Sequence, residues 1–256
     1  MKILALVTLG LLGFSSQSHS RVFSLSNEGY APYLRGSGGM APIKQAAFKD
    51  SDGAGASVEE EVTTNMSGEL GLALTFSKAS LRIGYEALAP SALTDVKAKN
   101  AGGDVLYTMK SSSLVTVPKL SLDLHLRQWQ ESRVIMFFTA SYPKITMSNS
   151  YAMTTDGNTA YPGLEDYLEE GTQQTIGYEA GVGFETLMAD TTTLTLDVGY
   201  RTLKFANMTH VKPHTNFAGT AIVKGDPVIN NDGSKRSLDF SGYFASLTLK
   251  IYVKTR

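Results

Sequence analysis

Cysteine is absent from this chain of 256 residues, which excludes a disulfide framework, a lipoprotein anchor and any thiolate metal site. An excess of basic residues is also absent. The formal net charge is −1, whereas a nucleic-acid-binding protein normally presents a basic surface, so we predict no nucleic-acid partner. Beyond the first 20 residues, no apolar run reaches the length of a membrane helix.

The beginning of the chain has the pattern of an export signal. Lys2 precedes an apolar run over residues 3–14, and "SHS" at 18–20 is a small-x-small site suited to signal peptidase. We therefore predict a signal peptide over residues 1–20, cleaved near Ser20, and one domain over 21–256. Export without disulfides favours the envelope of a Gram-negative bacterium. Without a membrane helix, membrane insertion would require a β-barrel.

Alternation of apolar and polar residues recurs along the chain and predicts eight strands. The first is the weakest, because Pro32 interrupts it. The predicted strands cover residues 28–35, 69–76, 81–87, 114–126, 134–142, 176–184, 194–201 and 243–253.

Short and long connections alternate between these strands. The long ones span residues 36–66, 88–112, 143–173 and 205–237 and are rich in Gly, Ser, Asn, Asp and Lys. In an antiparallel barrel this places tight turns at one rim and long loops at the other, as in outer-membrane barrels. We predict an all-β fold, an eight-stranded antiparallel up-and-down transmembrane β-barrel with short periplasmic turns and four long, variable extracellular loops.

The charged residues of the strands predict which face meets lipid. They occupy the phase opposite the aliphatic residues, and a basic side chain facing lipid at the membrane midplane costs about 2–4 kcal/mol. We therefore expect Asp197, Arg201 and the others to point inward and form a partly hydrated salt-bridge network. The predicted network is Glu69, Arg82, Glu86, Lys119, Asp123, Glu179, Asp197, Arg201 and Lys250.

Two further patterns favour a membrane barrel over a soluble barrel with a leucine core. Glycines share the charged phase, which suits a narrow interior, so Gly199→Ala is expected to be better tolerated than Leu196→Arg. Aromatic residues share the apolar phase and predict girdles at the two membrane interfaces. The predicted girdle residues are Tyr85, Tyr142, Tyr178, Tyr200 and Tyr243 at the long-loop rim, and Phe76, Phe184 and Trp129 at the other.

The chain resembles the small eight-stranded outer-membrane barrels, the class of the OmpA transmembrane domain, OmpX and OmpW. "GELGLALTFSKASLRIGYEALAPSAL" is similar to the second and third strands of OmpW-like proteins, and "YEAGVGFETLMADTTTLTLDVGYR" to their sixth and seventh. Such barrels usually end in an aromatic residue that the assembly machinery reads. This chain ends "IYVKTR", with Tyr252 near the end.

Residues for catalysis or metal binding are sparse, so we predict no enzymatic activity, cofactor or metal. His125 is expected to be a polar residue at the tight-turn rim, away from the outer-leaflet rim where lipid A acylases and deacylases hold their histidines. His210 and His214 have a spacing found in some metal sites, but Pro213 and a flexible loop favour solvated side chains. The acidic runs near Glu60 and Glu169 could bind cations that bridge lipopolysaccharide, although solvated charges are the favoured interpretation.

Three functions remain open. The first is a monomeric barrel with a structural or surface-interaction role, in contact with outer-membrane lipid and lipopolysaccharide and presenting its loops to an extracellular ligand. The second is OmpW-like passage of small hydrophobic molecules, for which Ile135, Phe137 and Phe244 would give a partly apolar route. The third is a periplasmic lipocalin-like carrier, with the leucines turned inward.

Overall fold

The computed structural model describes residue 25 and residues 29–43, 62–90, 92–216, 219–229 and 234–253. The predicted signal peptide over 1–20 and the acidic residues around Glu60 lie outside these ranges. The described elements are β1 (Gly29–Ile43), β2 (Val62–Thr75), β3 (Ala79–Pro90), β4 (Leu93–Lys99), β5 (Val105–Gln128), β6 (Ser132–Ser141), β7 (Lys144–Met153), α1 (Thr155–Ala160), β8 (Tyr167–Gln174), β9 (Gly177–Ala189), β10 (Thr192–Thr202), β11 (Lys204–Phe205), β12 (Thr209–His210), β13 (His214–Thr215), β14 (Ala221–Ile222), β15 (Leu238–Asp239) and β16 (Gly242–Ile251).

Eight strands close into a barrel. The strands β1, β2, β3, β5, β6, β9, β10 and β16 pair in that order, and β16 pairs with β1. Every one of these pairings is antiparallel. Tight turns follow β2, β5 and β9, whereas the other connections between consecutive strands of the barrel are long. The predicted all-β class and the up-and-down eight-stranded barrel are therefore confirmed.

The barrel wall continues beyond the rim that carries the long connections. β7 pairs with the first half of β5, just as β6 pairs with its second half, so β7 prolongs β6 past Pro143. β8 prolongs β9 in the same way, and α1 lies between β7 and β8. β4 pairs with β5, and β12 pairs with β8. We call β4, β7, α1, β8 and β11–β15 the cap.

The cap has a hydrophobic core of its own. Apolar side chains from four segments of the chain pack together in it, including Val96, Tyr107, Met109, Ile145, Met147, Tyr151, Phe205, Met208, Val228 and Phe240. The expectation of variable loops is therefore corrected for 88–112 and 143–173, much of which is strand, whereas the described part of 205–237 contributes only two-residue strands. The local cause is visible in β7, where Ile145, Met147, Asn149 and Tyr151 are buried and alternate with more exposed residues.

Inward-facing glycines let aromatic rings approach the barrel wall. A Cβ atom added to Gly71 would lie 2.5 Å from the Tyr33 ring. A Cβ atom on Gly199 would lie 2.9 Å from ring carbons of both Phe137 and Phe244, and 2.7 Å from the carbonyl oxygen of Ala180. Real Cβ atoms do not approach this closely, so these positions require glycine. Alanine at Gly199 therefore carries a packing cost, and the expectation that it is better tolerated than Leu196→Arg stays a prediction.

Gly199→Ala is expected to lower the free energy of unfolding by about 1–3 kcal/mol, because the added methyl group overpacks the interior. Urea denaturation in detergent micelles, followed by Trp129 fluorescence, measures this change. Gly38→Ala is the control, since a Cβ atom there meets nothing within 4 Å. Equal losses in the two variants would contradict the close packing at Gly199.

Candidate functional site

The centre of the barrel holds a cluster of four carboxylates and three basic side chains. Glu69, Glu86 and Glu179 come from β2, β3 and β9, at positions whose side chains face inward. Lys119 Nζ on β5 lies 2.6 Å from Glu86, 2.8 Å from Glu179 and 3.5 Å from Glu69. These three glutamates therefore contact the same ammonium group.

Two arginines complete the central cluster. Arg201 on β10 places Nε 2.7 Å from Glu179 Oε1 and Nη2 2.8 Å from Glu86 Oε1. Arg35 on β1 lies 3.4 Å from Glu69 and 3.6 Å from Asp197. Asp197 and Arg201 are thus both inside the barrel, but their ion pairs are with other residues.

Two smaller groups lie on the side of the tight turns. Arg82 donates hydrogen bonds from Nε and Nη2 to Asp123 Oδ1, at 3.1 and 2.8 Å. Glu185 Oε2 lies 2.7 Å from Arg133 Nη2 and 2.9 Å from Lys250 Nζ. The structure therefore brings all nine predicted residues into the interior, although in three groups.

Sequence reasoning missed Arg35, Arg133 and Glu185. The alternation pattern could have identified the last two, because Arg133 lies two residues from the inward-facing Ile135 and Glu185 lies two residues from the inward-facing Gly183. Among the described residues, adding these three gives six carboxylates and six basic side chains in the barrel interior, so this ion-paired set is neutral.

Aromatic side chains fill the space between the ion pairs. The Tyr33 hydroxyl donates to Glu69 Oε1 at 2.5 Å. The Arg35 guanidinium lies 5.8 Å from the Phe137 ring centroid and 5.4 Å from that of Phe244, within cation–π range. Ile135, Phe137 and Phe244, expected to give a partly apolar route, are buried and packed against glycine backbone or arginine. The interior is a packed core.

Tyr252 belongs to this interior. Its hydroxyl accepts a hydrogen bond from Arg133 Nη2 at 2.6 Å and donates one to Glu185 Oε1 at 3.0 Å. The side chain is buried, so it does not present an aromatic ring on the outer face of the last strand.

The predicted girdle residues are all exposed on the outer face. Tyr200 and Tyr243 are partners in the register of β10 and β16, and their ring centroids lie 5.1 Å apart. Trp129 lies in the turn between β5 and β6, where Arg127 is 5.1 Å from its ring. His125 is half-buried near the tight turn after β2, and its Nε2 lies 3.0 Å from Ser80 Oγ.

A second polar cluster lies inside the cap. Asn149 and Tyr151 donate hydrogen bonds to Glu169 Oε2, each at 3.1 Å, and Arg236 forms an ion pair with the same oxygen. His210 is 5% exposed, and its ring centroid lies 4.7 Å from that of His214. The solvated interpretation is therefore wrong for His210 and for Glu169, because β8 and β12 pair and bring both into the cap core.

Burial and charge determine the protonation of this cap cluster. Burial alone would raise the pKa of the Glu169 carboxyl, but the Arg236 guanidinium and the Asn149 amide hold that pKa below its usual range. Burial lowers the pKa of the His210 imidazole, and the carboxylate of Glu169 opposes this only in part. At neutral pH the cluster therefore holds a carboxylate beside a neutral imidazole.

No helix in the described part of the chain is long and apolar enough to cross a membrane. No protein-family model matches the sequence, and no curated protein matches it. Among solved structures, a major outer membrane protein from Thermus thermophilus is similar to this chain, with a TM-score of 0.50 and 14% identity over 87% of this chain and 99% of that one. The chain shares the fold of an outer-membrane barrel.

Two other similar structures are those of outer-membrane proteins. The protease OmpT from Escherichia coli is 9% identical, with a TM-score of 0.49, over 93% of this chain and 100% of that one. OprG from Pseudomonas aeruginosa is 12% identical, with a TM-score of 0.46, over 91% of this chain and 100% of that one.

Asp123→Asn is expected to lower the free energy of unfolding by about 3–5 kcal/mol, because it leaves the buried Arg82 guanidinium without its carboxylate. The measurement is chemical denaturation of the refolded protein in detergent. Glu170→Gln is the matched control. It breaks a pair with Lys212, whose side chain is 61% exposed, and should cost under about 1 kcal/mol. Similar costs for both variants would mean that Arg82 does not depend on Asp123.

Proposed function

We propose that the protein is an integral outer-membrane barrel of a Gram-negative bacterium, whose filled interior anchors a structured cap for interactions at the cell surface. The observation that carries the proposal is the inverted distribution of side chains. Leu122, Leu196 and Leu249 are 43%, 37% and 40% exposed, whereas the ion-paired residues are buried. Exposing so much apolar surface to water costs free energy, whereas contact with lipid does not.

The same distribution argues against the lipocalin-like carrier. A soluble carrier of apolar ligands needs its leucines around the cavity and its charges outside. Here the charges occupy the interior and the leucines the outer wall. A protein with this surface would require a lipid or detergent environment throughout.

A filled interior favours anchoring over transport through the barrel. Lys119 and Arg201 each bridge two or more acids across the barrel, and Phe137 and Phe244 occupy the remaining space. A solute would have to break several buried ion pairs to pass. The cap, by contrast, offers a surface supported by its own core, and we assign it the recognition of an extracellular ligand.

We infer a monomer without enzymatic activity, surrounded by outer-membrane lipid and lipopolysaccharide. Ser80 and His125 form a hydrogen bond that resembles part of a catalytic pair, but Ser80 is buried and His125 Nδ1 faces the carbonyl oxygen of Ser77. A nucleophile needs access to substrate and a base oriented by an acid.

The outward aromatic residues, including the Tyr200 and Tyr243 pair, suit the two membrane interfaces.

The second candidate is OmpW-like movement of small hydrophobic molecules, and one feature favours it. A groove of about 910 Å³ lies on the outer wall where β1, β2, β10 and β16 approach the cap. Its lining includes Met40, Met66, Val198, Tyr200 and Tyr243, so an apolar molecule could bind there from the lipid side. This route would pass along the wall and leave the ion pairs intact.

Leu196→Arg is expected to reduce assembly in the outer membrane, because an arginine on the lipid face costs about 2–4 kcal/mol near the midplane. The heat-modifiable folded fraction in outer-membrane preparations measures assembly. Leu196→Val keeps an apolar side chain and should assemble normally. If the arginine variant assembles as well as the valine variant, this face does not contact lipid.

The refolded protein is expected to give no discrete conductance steps in planar bilayers, because side chains fill its interior. A porin added to the same bilayer provides the positive control. Reproducible steps from the purified protein would overturn the anchoring function and favour a transport role.

A further inference from the structure

Three potential metal-binding side chains meet inside the cap, from separate positions in the chain. Glu169 lies on β8, His210 on β12 and His214 on β13. One ligand atom from each lies within 4.8 Å of the other two. The two imidazole rings are inclined at 62° to each other.

Backbone pairing fixes two of these residues. β12 pairs with β8, with His210 opposite Gly171, two residues from Glu169. The His210 amide donates to the carbonyl oxygen of Asp226 at 2.9 Å, and the Val211 amide to that of Glu170 at 2.9 Å. The position of His210 beside Glu169 therefore belongs to the sheet of the cap.

His210 contains a polar atom that the described residues leave unsatisfied. Its Nδ1 is buried and has no hydrogen-bond partner among them. Buried polar atoms in native proteins are almost always satisfied by protein, water or an ion. An imidazole nitrogen in this situation, beside a carboxylate and a second imidazole, is a suitable ligand for a cation.

The carboxylate is oriented by its neighbours. Asn149, Tyr151 and Arg236 all contact Glu169 Oε2. In metal sites, hydrogen bonds of this kind hold a ligating carboxylate in one orientation. The Arg236 charge also balances the buried carboxylate when no cation is bound.

We propose that Glu169, His210 and His214 form a binding site for a divalent transition-metal ion of the Zn²⁺ class. Two imidazoles and one carboxylate suit Zn²⁺ and its neighbours better than Mg²⁺ or Ca²⁺, which prefer oxygen ligands. His214 is only partly buried, so the cluster is nearest to solvent at this residue. The ion would join β8 to the segment that carries β12 and β13.

Binding requires a small closure of the cluster. Bonds of about 2.0–2.1 Å in a tetrahedral site place ligand atoms roughly 3.3 Å apart. The present separations are up to 4.8 Å. His214 lies in a two-residue strand near the surface, so rotation of its side chain is the movement that closes the gap.

The test uses the full mature chain without a histidine tag, refolded in detergent and titrated with Co²⁺ as a spectroscopic probe, followed by displacement with Zn²⁺. We expect one Co²⁺ per chain with a low-coordination visible spectrum, and displacement by Zn²⁺. His214→Gln should weaken Co²⁺ binding by at least about tenfold. His125→Gln, which changes a histidine at the opposite end of the barrel, should leave binding unchanged.

Heat-modifiable migration first establishes that both variants are folded, so that a loss of binding is not a loss of structure. A second measurement is limited proteolysis of the cap, which Zn²⁺ should slow in the parent protein but not in His214→Gln. The proposal is overturned if Co²⁺ does not bind the parent, if His214→Gln binds as tightly as the parent, or if His125→Gln loses binding equally.

Discussion

The need to pair every ionised side chain in the narrow interior is the constraint on which the rest of the structure depends. A buried charge without a partner costs several kcal/mol, so six carboxylates and six basic residues must meet across the strands. Arg35 on β1 reaches Asp197 on β10, across β16. A slip of one residue in any strand would turn its charges outward. The ion pairs therefore specify both the register and the closure of the barrel.

A layer of apolar side chains lies next to the ion pairs, on the side that faces the cap. At three places in the barrel wall, the inward-facing residues change from charged to apolar within two positions. Leu88 follows Glu86 on β3, Val117 precedes Lys119 on β5, and Leu203 follows Arg201 at the end of β10, all with buried side chains. Leu88, Val117 and Leu203 belong to the core of the cap. The cap core thus covers the ion pairs and restricts the access of water from that side.

Local alternation was sufficient to predict the barrel, its inward phase and nine of the twelve ion-paired residues, because a strand period of two assigns each residue to a face. It missed Arg133 and Glu185, which lie one residue outside the predicted strands 134–142 and 176–184 although β6 and β9 include them, and it missed Arg35 on β1, where Pro32 weakened the pattern. The cap was missed for a different reason. His210 is buried by pairing with β8, about 40 residues away in sequence, and no local pattern contains that contact.

The hydrophobic core of the cap and the charged interior of the barrel are connected by shared strands, and this connection determines how rigidly the cap is held. β5 runs through both, with Met109 in the cap core and Asp123 in the charged interior. Since β7 and β8 prolong β6 and β9, the orientation of the cap is set by the same hydrogen-bonded ladders that close the barrel. A ligand that binds the cap therefore meets a surface whose geometry is already ordered, and little conformational entropy is lost on binding. Under the proposed function, the charged interior would contribute to recognition indirectly, because the register that it fixes is the register on which the cap is built.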